Sequence, residues 1–75
     1  MFVVAWIRHS PPLLHEVCRI AAMTRPELLA GVASALRKKR IQPGLELAII
    51  DCPPSEDAEL RDEIEMLMAQ ANGDT

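Results

Sequence analysis

The sequence predicts a small α+β domain in the order β-α-α-β-α, with two antiparallel strands and three helices, and three observations lead there. Two runs rich in β-branched and aromatic side chains, Phe2 to Arg8 and Leu45 to Asp51, each give way to a proline pair. Between and after them, three stretches repeat apolar residues at helical spacing. The chain is 75 residues long, 49% hydrophobic and 25% charged, which is ordinary composition for one globular domain and unlike that of a disordered segment.

The first strand is predicted over residues 2–8, with Phe2, Val4 and Trp6 on one face and Val3, Ala5 and Ile7 on the other. Ser10-Pro11-Pro12 then reads as a rigid corner, with Ser10 as cap and the prolines in a first helical turn whose amides need no partner. A helix is expected over 11–22, because Leu14, Val17, Cys18 and Ala21 share one helical face. Thr24-Arg25-Pro26-Glu27 has the form of a capping box and opens a second helix over 25–40, which Gln42-Pro43-Gly44 ends. Inside it, Gly31 costs about 1 kcal/mol relative to alanine, so a close packing neighbour is expected there.

The second strand spans 45–51, and after Pro53-Pro54 a third helix is expected over 56–71, capped by Ser55. Leu60, Ile64, Leu67, Met68 and Ala71 form its apolar stripe, and the tail 72–75 is expected to fray. Neither strand has a polar face, and a two-stranded sheet is weak. A chain this short also buries only about 60% of its unfolded surface, so the sheet is expected to be completed across a homodimer.

Charge is divided sharply along the chain. Residues 1–45 carry seven basic side chains against two acids, and residues 46–75 carry nine acids against Arg61 alone; +5 and −8 sum to the net −3. The basic cluster Arg37-Lys38-Lys39-Arg40 falls at the end of helix 25–40, and Glu59, Asp62, Glu63 and Met66 lie along the last helix. These eight residues are the candidate partner-binding set, through charge complementarity and an adaptable methionine.

The soft metal ligands are His9, His15, Cys18 and Cys52, with His15 and Cys18 one helical turn apart in the expected first helix. If the strands are antiparallel, Cys52 falls at the far end from the other three, so no metal site is assigned. The amino terminus of the last helix would lower the Cys52 thiol pKa, while Asp51, Glu56 and Asp57 oppose that effect. No catalytic constellation is present and no cofactor is expected, so the chain is read as a non-enzyme.

The stretch Ala48-Ile49-Ile50-Asp51-Cys52-Pro53-Pro54-Ser55 resembles the strand and loop around the magnesium-associated aspartate of Walker-type partition ATPases. The likeness spans eight residues, and the chain has no Gly-x-x-x-x-Gly-Lys loop to hold phosphates, so nucleotide hydrolysis does not follow from it.

The opening apolar run is too short for a signal-peptide core and no stretch approaches a membrane span, from which a cytoplasmic protein with reduced thiols and no membrane partner is expected. The function expected is that of a small regulatory or adaptor protein, inhibitor- or antitoxin-like, acting by protein-protein binding and as a homodimer. The alternative is a dimeric helix-turn-helix DNA-binding repressor using helix 25–40, with nucleic acid as partner.

Overall fold

The computed structural model describes residues 1–10 and 13–73 of the chain. Three strands, β1 (Phe2–Ser10), β2 (Leu13–Ala22) and β3 (Glu46–Asp51), form one antiparallel sheet in the order β2-β1-β3. Two helices, α1 (Arg25–Arg37) and α2 (Asp57–Gly73), cover one face, and a single 3-10 turn at Pro54–Glu56 leads into α2. The α+β class stands, but the expected order, strand number and helix number do not. The chain runs β-β-α-β-α.

The main correction concerns residues 13–22, which form a strand rather than a helix. Paired along its whole length with β1, this strand satisfies its backbone groups on the inner edge and sets Cys18 opposite Trp6, Ile20 opposite Val4 and Ala22 opposite Phe2. Those three lie partly buried against the core, at the period of two that a strand requires. The register shifts between Trp6 and Ile7, so that Glu16 and Cys18 face consecutive residues of β1 and Val17 is an extra residue. This bulge breaks the alternation and leaves a spacing that imitates a helix. Pro11 and Pro12, expected in the first turn of that helix, lie outside the described residues.

A third strand also removes the need for a sheet completed by a second chain. With β1 between them, β2 and β3 run parallel to each other, and α1 is the crossover connecting them. The core lies between sheet and helices: Phe2, Val4 and Trp6 from β1, Leu28, Val32, Ala35 and Leu36 from α1, Ile41 from the following loop, and Leu60 and Ile64 from α2. Trp6 is fully buried, and its indole N–H donates to the Met68 sulfur at 3.4 Å. No buried polar side-chain atom among the described residues is left without a partner.

Helix α1 starts as expected, with the Thr24 hydroxyl accepting from the Glu27 amide at 3.3 Å. It ends three residues earlier than expected, at Arg37. Lys39 takes a left-handed backbone (φ 60°), its amide bonding to Leu36 and the Arg40 amide to Ala35, the paired bonds of a Schellman ending. The close neighbour of Gly31 is Ile20 of β2, whose Cγ2 would stand 3.1 Å from an added Cβ. At the start of α2, Ser55 sits inside the 3-10 turn and caps nothing; the apolar stripe is the expected one, and helix persists to Gly73 where fraying was expected from 72. Residues 74 and 75 of that tail lie outside the described residues.

Candidate docking groove on the helical layer

The two helices lie side by side and point the same way. At one end, the Arg25 guanidinium of α1 reaches Glu59 at 3.0 Å and Glu63 at 4.0 Å in the first two turns of α2, and Glu56 at 3.7 Å in the 3-10 turn before it. At the other, Leu36 and Arg37 share a hollow with Gln70 and Ala71 near the end of α2. The hydrogen bond to Glu59, and then the field of Glu63, hold the Arg25 guanidinium above its already high ordinary pKa. Arg25 was not among the residues that charge clustering picks out; only the parallel course of the helices brings it to these acids.

Between the helices, on the outer face, runs a groove of about 410 Å³ lined by Leu29 and Ala30 of α1 and Glu63, Met66, Leu67 and Gln70 of α2. Its lining is mostly apolar, and Met66 stands 62% exposed at its rim. A second hollow of about 310 Å³ adjoins it through Leu67 and Gln70 and ends at Arg37 and Lys39. Small residues make the groove: Ala30 and Ala33 on α1 present too little side chain to close the space against α2. The outer face therefore has an acidic end, an apolar middle and a basic end.

Of the residues expected to bind a partner, Glu63 and Met66 line the groove, and Arg37 and Lys39 line the adjoining hollow. Lys38 and Arg40 are exposed at the same basic end, Asp62 is exposed on α2, and Glu59 is engaged with Arg25. Sequence spacing did not point to Leu29, Ala30, Leu67 and Gln70 as groove residues, because that role depends on which helix lies next to which. Among the described residues the expected helix-turn-helix does not form, since residues 13–22 before α1 are a strand.

The four metal candidates are dispersed. His9 lies on the open sheet face beside Glu46, with which it pairs; His15 is opposite Arg8, Cys18 opposite Trp6, and Cys52 follows β3 at the other end of the sheet. Among the described residues no group of three or more His, Cys, Asp or Glu is placed to hold a metal ion. Burial first, and then Asp57, Glu56 and Asp51, push the Cys52 thiol pKa up, so the helix terminus does not activate it. Its Sγ lies 3.4 Å from the Pro53 carbonyl oxygen, to which it donates.

A second apolar surface lies on the sheet-edge strand β2, in residues expected to be helical. Because β3 pairs with β1 only as far as Ile7, residues 8–10 and 13–15 form a two-stranded arm, on which Leu13 and Leu14 are 61% and 65% exposed. The Val17 bulge lies at the base of this arm, where it interrupts the outer edge of β2.

No described helix is long and apolar enough to cross a membrane. Comparison of the chain with protein-family models, with curated proteins and with solved structures finds no match.

Proposed function

We propose that this chain is a non-catalytic regulatory or adaptor module, inhibitor- or antitoxin-like, that works by binding a protein on the outer face of its α1–α2 layer. The groove between the helices supports this reading: an apolar middle with an exposed methionine, flanked at its two ends by charges of opposite sign. An apolar centre with a polar rim is the usual anatomy of a protein interface. A shallow channel between helices suits a helix laid into it, and methionine adapts to the shape of what arrives.

Site-specific photocrosslinking in extract of the native host tests this. A photoreactive residue replacing Met66 is expected to give a discrete protein adduct, and the same residue replacing Ala48, on the open sheet face, is expected to give none. Adducts at position 48 with none at 66 would remove the reading.

A further inference from the structure

We infer that the occupant of the helical face is a second copy of this chain, docked with its helices antiparallel to those of the first. The inference rests on the docking reading above and names its partner. Two features of the face are self-complementary.

The first is charge. The acidic end carries Glu27 in the first turn of α1 and Glu59, Asp62 and Glu63 on α2, whereas the basic end carries Arg37, Lys38 and Lys39. Arg25 answers the acids within one chain, but no described acid pairs with Arg37, Lys38 or Lys39. A two-fold axis across the helices, near the level of Met66, lays the acidic end of each copy over the basic end of the other. This is an isologous arrangement, which closes on itself as a dimer. Parallel helices within one chain place like dipole ends side by side, and an antiparallel pair from the second copy sets opposite ends together.

The second feature is shape. Met66 stands out from the middle of the face beside the groove of Leu29, Ala30, Leu67 and Gln70, so each copy offers one projecting side chain and one channel to receive it. The small Ala30 and Ala33 allow the two layers to approach closely. Helices of 13 and 17 residues are ~20 and ~25 Å long, so two side by side present a face of the order that a dimer at the small end of the usual range, ~600 Å² per partner, requires.

Sedimentation equilibrium of the purified protein over a hundredfold range of concentration tests the inference. The expected mass is twice 8.3 kDa at the upper concentrations. Asp62→Lys and Lys38→Glu are each expected to weaken the dimer at least tenfold, and the chain carrying both is expected to regain much of it, a rescue that mere damage to the fold would not produce. Met66→Lys is expected to give a monomer with unchanged circular dichroism.

A mass of 8.3 kDa at every concentration overturns the inference, as does a dimer that none of these changes weakens. If the purified chain is monomeric while position 66 still crosslinks to a different protein, the docking reading stands and self-occupancy falls.

Discussion

At the scale of single residues, the Trp6 indole N–H is a polar group inside the core, and the Met68 sulfur accepts its hydrogen bond. Met68→Leu conserves volume and would ordinarily cost under about 1.5 kcal/mol, but here it also leaves a buried donor unpaired, which costs about 1–3 kcal/mol. Urea unfolding followed by Trp6 fluorescence is expected to show a loss of at least about 1 kcal/mol, with Met68→Gln, which keeps an acceptor, losing less. A second residue-scale expectation concerns Cys52. Because burial and three neighbouring acids raise its thiol pKa, the thiolate is scarce at pH 8, and alkylation of Cys52 should run slower than that of a small free thiol. Changing Asp57 to Asn and Glu56 to Gln together should speed it. The sign for stability follows. With the folded-state pKa above the unfolded one, the unfolded chain releases the proton first, so this group's contribution is intact below about pH 8.5 and declines as pH rises through the folded value.

At the scale of elements, the two helix endings show how local chemistry and tertiary context divide the work. The start of α1 was legible because Thr24, Pro26 and Glu27 act through bonds within four residues. Its end was not, because Lys39 occupies a left-handed position that usually falls to glycine, and Gly44, the glycine that looked like the stop, lies beyond it. A non-glycine residue there carries a cost of about 1–2 kcal/mol, partly offset by the extra freedom glycine has when unfolded. Lys39→Gly is therefore expected to stabilise the fold by about 0.5–1 kcal/mol, visible as a higher midpoint in thermal unfolding. Strand β2 was misread for a different reason. Its inward residues Cys18, Ile20 and Ala22 alternate correctly, but the extra Val17 puts Leu14 and Val17 at helix-like spacing, and only the pairing with β1 resolves the ambiguity. The stripe of α2 was legible throughout, since Leu60, Ile64, Leu67, Met68 and Ala71 have no competing period.

At the scale of the whole molecule, the sheet is held unevenly. Residues 3–7 of β1 are paired on both sides and include the fully buried Val4, Ala5 and Trp6, whereas the arm beyond them is paired on one side only and exposed on both faces. Amide hydrogen exchange is expected to find the slowest amides at 4–6, opening only with global unfolding, and amides of residues 8–10 and 13–15 exchanging well before them. The charge asymmetry was plain in the sequence, and so were most of the charged residues at the two ends of the groove. Their relation to one another was not, because it depends on α1 and α2 running side by side in the same direction. That parallel course has a preparative consequence. Within a net charge of −3, the helical layer keeps a basic end and an acidic end apart, so a resin can hold the molecule by the end it prefers rather than by the sum. A form with its helical face uncovered should bind a cation exchanger at neutral pH as well as an anion exchanger, despite an isoelectric point near 5.2.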